Sequence, residues 1–162
     1  GENPVDHYLR TGAEQGLSPH RLFQPDYYRR QLPASEQSAN PLVHYLTVGA
    51  YAGLKPHPLF DPAWYLERYP DVEGGEPLSH FVVWGAEQLR SPGPWFDSEQ
   101  YAISRGDQRS LAMDPLSDYL AGGAWSGAEP IRGFHPAAYL AAHPELADQG
   151  LTPLEHWARQ PR

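Results

Sequence analysis

An all-α helical repeat solenoid is the fold class this sequence predicts, and three observations predict it. A phrase of the form Asn/Asp-Pro-Leu-x-His-Tyr-Leu-x-x-Gly returns five times. Its prolines stand at Pro4, Pro41, Pro77, Pro115 and Pro153, so the steps are 37, 36, 38 and 38 residues. Each return joins a helix-start signal to apolar residues at helical spacing. A repeat of this length marks a stacked array in which each unit buries its apolar face against its neighbours. The repeats run at about 3–39, 40–75, 76–113 and 114–151, followed by a partial fifth at 152–162.

The first helix of each repeat opens on a capping residue, Asn3, Asn40, Asp114 or Thr152, with Glu76 a weaker one. Proline follows, at the helical position where its missing N–H costs nothing. In repeat 2 the stripe reads Leu42, Tyr45, Leu46, Gly49, Ala50 and Gly53, and repeat 4 matches it with Leu116, Tyr119, Leu120, Gly123, Ala124 and Gly127. Tyr8 and Leu9 begin the same stripe in repeat 1. The recurrent mid-helix glycine (Gly12, Gly49, Gly85, Gly123) costs roughly 1 kcal/mol against alanine. Close approach to another helix backbone is the expected compensation. The second glycine (Gly16, Gly53, Gly127) suits a left-handed C-terminal cap. Leu89 replaces it in repeat 3, which predicts a different helix end there.

The second half of the repeat is cleanest from Pro56 to Leu66. Asp61 is the cap, Pro62 the first helical residue, and Phe60 with Tyr65 a hydrophobic staple. Phe23/Tyr28, Phe96/Tyr101 and Phe134/Tyr139 repeat that pair. Pro33, Pro70 and Pro144, and Gly106 in repeat 3, end this short helix. A polar linker leads to the next cap. Each repeat therefore reads as helix, Pro-rich loop, short helix, turn.

Composition narrows the function classes. Twenty aromatic residues (5 Trp, 10 Tyr, 5 Phe) allow a core built on rings. The formal charge is −8 and Lys55 is the only lysine, so no basic stripe points to nucleic acid or an anionic membrane. There is no cysteine, hence no disulfide or thiol chemistry. No apolar run reaches the roughly 20 residues a membrane-spanning helix needs, and no signal-peptide pattern opens the chain. The chain starts on a cap and stops partway through a repeat, the pattern expected of a piece of a longer protein. Open apolar ends would then favour end-to-end self-association.

The phrases His44-Tyr45-Leu46-Thr47-Val48-Gly49-Ala50 and Pro58-Leu59-Phe60-Asp61-Pro62-Ala63-Trp64-Tyr65-Leu66, with Tyr69-Pro70-Asp71-Val72, carry a resemblance. They look like tandem repeats of bacterial polysaccharide-related proteins, found beside glycosyltransferase or rhamnan-synthesis-type domains and in some large surface proteins. The resemblance covers essentially the whole chain. It implies a non-catalytic scaffold or interaction module, a bacterial and preferentially cytoplasmic setting, and a protein partner or adjoining catalytic domain. Asp118 departs from it where the other repeats have histidine, and Gly93 and Ile131 depart from it at the His20 and His57 position.

Candidate chemistry is sparse. His7, His44, His80 and His156 are whole repeats apart, so stacked equivalents about 10 Å from one another cannot share an ion. Each is expected to bond a neighbouring loop from the first turn of its helix, a role Asp118 can also fill. Asp61, Asp97 and Asp114 read as caps rather than catalytic acids. No phosphate loop, nucleophile elbow or metalloprotease motif occurs. No cofactor, metal or catalytic residue is expected. Tyr51, Trp84, Trp95 and Trp125 read first as core or inter-repeat packing. The alternative is a glycan-binding face in which these rings, with His57, stack on sugars.

Overall fold

The computed structural model describes residues 17–106 and 113–160. The sequence-assigned positions Pro4, His7, Tyr8 and Gly12 lie outside the described residues. Among the described residues the chain is helical and has no sheet, in agreement with an all-α class. Isolated antiparallel bridges, His57 with Phe60 and Gly93 with Phe96, close the turns of two Pro-rich loops. Among the described residues no helix is long and apolar enough to cross a membrane.

The elements follow the repeat. α1 is Pro25–Arg29, α2 Pro41–His44, α3 Pro62–Arg68, α4 Pro77–His80 and α5 Ser98–Ser104. α6 is Pro115–Ala121, α7 Pro136–Ala142, α8 Leu146–Gln149 and α9 Pro153–Arg159. Asn40 caps α2 by accepting from the N–H groups of Leu42 and Val43. Asp61, Asp97 and Asp114 each accept one N–H at the start of α3, α5 and α6. Thr152 forms a full capping box with Glu155. Gln24 and His135 make no side-chain cap bond. The Phe/Tyr staple closes over all four short helices regardless, with ring centroids 5.3–5.6 Å apart. Packing of the two rings sets the entry angle where the cap is poor.

In repeats 2, 3 and 4 the first helix is not the continuous α-helix the stripe predicts. α2 and α4 each widen into a π turn, Tyr45–Gly49 and Phe81–Gly85, closed by Ala50 N–H to Tyr45 O at 2.9 Å and Ala86 N–H to Phe81 O at 2.8 Å. The extra residue per turn moves the faces. Pro41, Tyr45 and Gly49 are buried together, while Leu46, assigned to the core stripe, turns outward and is 39% exposed. α6 instead stops at Ala121 and continues after Gly122 as a 3₁₀ turn, Gly123–Trp125.

The helix ends correct a second expectation. Gly53 and Gly127 hold φ of 75° and 82°, and Leu89 adopts the same left-handed region at φ 53°. Leu54 N–H bonds Gly49 O, and Arg90 N–H bonds Gly85 O, both at 2.9 Å. These are the long-range bonds of the Schellman motif, so repeat 3 ends as repeat 2 does despite its leucine. The linkers are more structured than their polar composition predicts. Buried Val72 anchors a 3₁₀ turn over Pro70–Val72, and buried Leu146 begins α8.

Contacts fall into two compact units, Gly1–Leu78 and Ser79–Arg162. In the first, Phe23, Tyr28 and Tyr45 form a closed trio of rings, 5.6–5.7 Å between centroids. Gln24 N–H bonds Pro56 O at 2.8 Å, and the Gln31 side chain exchanges two bonds with the Lys55 backbone. In the second, Phe96, Tyr101 and Tyr119 repeat the trio at 5.3–5.8 Å. Asp97 N–H bonds Pro130 O at 2.8 Å, the counterpart of the Gln24 bond. Phe134, Tyr139 and Trp157 make the next cluster. Each cluster joins the short helix of one repeat to the first helix of the next.

Candidate functional site

The recurrent residues converge on a joint. Tyr28, at the end of the staple on α1, reaches across to α2 and its hydroxyl lies 2.7 Å from His44 Nδ1. His44 Nε2 lies 3.2 Å from the Glu36 carboxylate in the intervening linker. The Tyr28 hydroxyl is held protonated: burial, then the nearby Glu36 charge, push it up to about 12. The Glu36 carboxylate can only accept, so Nε2–H donates to it, and in the neutral imidazole Nδ1 is then left to accept from the hydroxyl. The loop bond expected of the histidine is present at Glu36, but the principal partner is the tyrosine of the preceding repeat.

The glycine completes the joint. A Cβ at Gly49 would overlap the Tyr28 hydroxyl oxygen and stand 2.8 Å from Cζ. At Gly123 a Cβ would overlap the Tyr101 hydroxyl in the same way, 2.9 Å from Cζ. The expected helix backbone approach is thus corrected: the glycine is the seat of a phenol.

Repeat 4 shows how aspartate stands in for histidine. Tyr101 donates to Asp118 Oδ2, and Arg105 Nε donates to the same oxygen at 3.1 Å. Burial raises the Tyr101 hydroxyl well above its usual value, with the Asp118 bond and charge adding to it and Arg105 opposing. The guanidinium balances a carboxylate where the other joint has an imidazole. The third joint pairs Tyr139 with His156 Nδ1 at 2.8 Å. His143 flanks it, its ring 5.0 Å from that of His156 and its Nδ1 3.2 Å from Glu145. Tyr119 adds a further link by accepting from Leu154 N–H at 3.2 Å.

The Tyr28–His44–Glu36 chain has the connectivity of a proton relay, but its hydroxyl is raised rather than lowered. A general base or nucleophile poised near neutrality needs the opposite shift. Among the described residues no group of three or more His, Asp or Glu could hold a metal ion.

The remaining sequence-assigned residues separate into two sets. His57 is buried, and its Nδ1 accepts from Leu59 N–H at 3.1 Å, bracing the Pro-rich loop. His20 does the same for Leu22 at 3.2 Å. Trp95 is half-buried and packs edge-on to Trp157 at 5.5 Å. The other rings are not core, contrary to their first reading: Tyr51 is 58%, Trp84 59% and Trp125 45% exposed. Tyr51 and Trp125 occupy the same repeat position, just beyond the buried Gly-Ala pair. Val43, Leu46 and Val48 are exposed along α2 and its π turn, just before Tyr51 in the following turn, and Val82 and Val83 are exposed beside Trp84.

Sequence reasoning assigned Tyr28, Tyr101 and Tyr139 to the staple and missed their second role. The signal was available in part, since the glycine follows the His/Asp at a fixed offset of five (His44/Gly49, His80/Gly85, Asp118/Gly123) and the tyrosine precedes the His/Asp by 15–17 residues. It also passed over Trp64, Glu67 and Arg68, which line an open depression on α3. Comparison with family models, with curated proteins and with solved structures finds no match to the chain.

Proposed function

We propose that the chain is a non-catalytic helical-repeat scaffold or interaction module of a larger bacterial polysaccharide-related protein. In this reading it is a solenoid of two helices per ~37-residue repeat. The joint carries the proposal. Residues that would attract a catalytic reading, the repeated tyrosine, histidine and glycine, are spent on linking one repeat to the next. The tyrosine hydroxyls are raised by burial, which suits permanent donors. Exposed apolar side chains on the first helices and the turns that follow them, Val43, Leu46, Val48 and Tyr51 among them, supply a surface for a protein partner or an adjoining catalytic domain. The test is enzymatic and physical together. The purified chain should unfold cooperatively and turn over no nucleotide sugar; transferase or hydrolase activity well above background would refute the reading.

A second reading, glycan binding, draws on the exposure of Tyr51, Trp84 and Trp125. Phenol and indole faces in solvent can stack on the apolar face of a sugar ring. Calorimetric titration with polysaccharide fragments tests it, and the absence of heat at millimolar ligand would count against it.

A further inference from the structure

The repeats supply their own control for what the fold requires. Phe60 and Tyr65 have counterparts in every repeat and form the buried staple. Trp64 does not: Tyr27, Gln100 and Ala138 hold its place elsewhere. Glu67 is replaced by Arg30, Ile103 and Ala141, and Arg68 by Gln31, Ser104 and Ala142. Only α3 brings an indole, a carboxylate and a guanidinium together at i, i+3 and i+4, the spacing that puts three side chains on one helix face.

The three side chains line an open depression of about 300 Å³. That is at the small end of ligand sites, the size for a single ring. Tyr69 braces it from behind. Its ring meets Trp64 edge-on at 6.2 Å, and the Arg68 guanidinium lies over it 5.7 Å from the centroid. Trp64 is half-buried, so one part of the indole is held and the rest faces the depression. Among the described residues neither the Glu67 carboxylate nor the Arg68 guanidinium has a hydrogen-bond or ion-pair partner. In repeats 1 and 3 the Arg68 position is spent on structure: Gln31 bonds the backbone of Lys55, and Ser104 the carbonyl of Glu129.

We propose that Trp64, Glu67 and Arg68 form a subsite for an uncharged pyranose sugar. The indole offers a flat apolar surface to the C–H face of the ring. Glu67 accepts from one hydroxyl, and Arg68 donates to a neighbouring hydroxyl oxygen. One carboxylate and one guanidinium leave the depression with no net charge, which favours a neutral sugar over a uronate or a phosphate. The inference deepens the glycan-binding reading above and rests on it, while moving the site from the first-helix rings to α3.

The test is a ¹⁵N-correlation titration of the whole chain with methyl glycosides of glucose, galactose, mannose and rhamnose, taken to about 100 mM. One ring on one open subsite should half-saturate at about 1–10 mM. The indole signal of Trp64 and the amides of Glu67 and Arg68 should move for at least one glycoside. Trp64→Gln, Glu67→Ala and Arg68→Ser each install a residue that a sister repeat already carries, so the fold is retained. Trp64→Gln should weaken binding at least tenfold and each polar change several-fold. Shifts centred on Trp84 or Trp125 and unaffected by Trp64→Gln would overturn this subsite and leave the glycan reading standing. Full binding in both Glu67→Ala and Arg68→Ser would overturn the roles given to the polar pair. Silence with all four glycosides would overturn the subsite and the glycan reading together, leaving the scaffold reading intact.

Discussion

Gly49→Ala should destabilise the chain, although the same change on an exposed helix stabilises by up to about 1 kcal/mol. The alanine Cβ would coincide with the Tyr28 hydroxyl and press on Cζ at 2.8 Å and Cε2 at 3.1 Å. Tyr28 cannot swing clear, because its ring is buried against Phe23 and Tyr45. Either the phenol moves and loses His44, or α2 moves and opens the ring trio. A buried bond broken with its partner left behind costs about 1–3 kcal/mol. Overpacking a filled site costs about 1–3 kcal/mol more. Set against the propensity gain, the net loss is about 1–5 kcal/mol. Urea unfolding followed by tryptophan fluorescence measures it. Tyr28→Phe removes the overlapping oxygen, so Gly49→Ala should cost at least ~1 kcal/mol less in that background, a coupling a double-mutant cycle isolates. A neutral or stabilising Gly49→Ala in the wild-type background, or two strictly additive changes, would refute the seat.

Leu89→Gly should stabilise by about 1 kcal/mol, since a leucine at φ 53° carries a left-handed penalty that glycine escapes; a thermal melt decides, and a lower midpoint would mean the leucine side chain contributes more than its backbone costs. Thr152→Ala should lose about 1 kcal/mol with its capping box, read as increased amide exchange confined to the first turn of α9. Alkaline titration gives a signed test. Tyr28 has a folded pKa raised from 10.0 to about 12 by burial and Glu36, so its contribution is complete below pH 10 and is lost as pH rises toward 12. Stability should therefore decline over that window as tyrosinate absorbance grows, and Tyr28→Phe should flatten part of the decline. A decline identical in wild type and variant would assign it to other groups.

Much of this architecture is legible in the sequence because punctuation residues act locally. Asn40, Asp61, Asp114 and Thr152 cap helices for reasons confined to three residues, and Pro70 and Pro144 stop them for reasons confined to one. The Phe/Tyr staple is local too. What the sequence leaves unread depends on a second element. The π turns at Tyr45–Gly49 and Phe81–Gly85 have no propensity signal, and they send Leu46 outward where helical periodicity places it inward. The left-handed Leu89 follows the bonds of its own N–H to Ala86 O and of Arg90 N–H to Gly85 O rather than its own preference. The joint is partly legible: the substitution of histidine by Asp118 points to an acceptor. Its donor sits 16–17 residues upstream on another helix, beyond any local rule.

The joint also bears on how such a chain can change length. Tyrosine and glycine are two halves of a latch, and the halves belong to successive repeats. Tyr28 is the plug of repeat 1 for the socket at Gly49 in repeat 2, and Tyr101 the plug of repeat 3 for the socket at Gly123 in repeat 4. Adding or removing a whole repeat returns a plug to a socket, and Tyr28 and Tyr101 would each still find an acceptor and a bare glycine turn. Adding or removing any other length sets a side chain such as Val48 or Ala50 where the hydroxyl must sit. The latch therefore acts as a counting device on the gene: it tolerates growth by integers and penalises fractions.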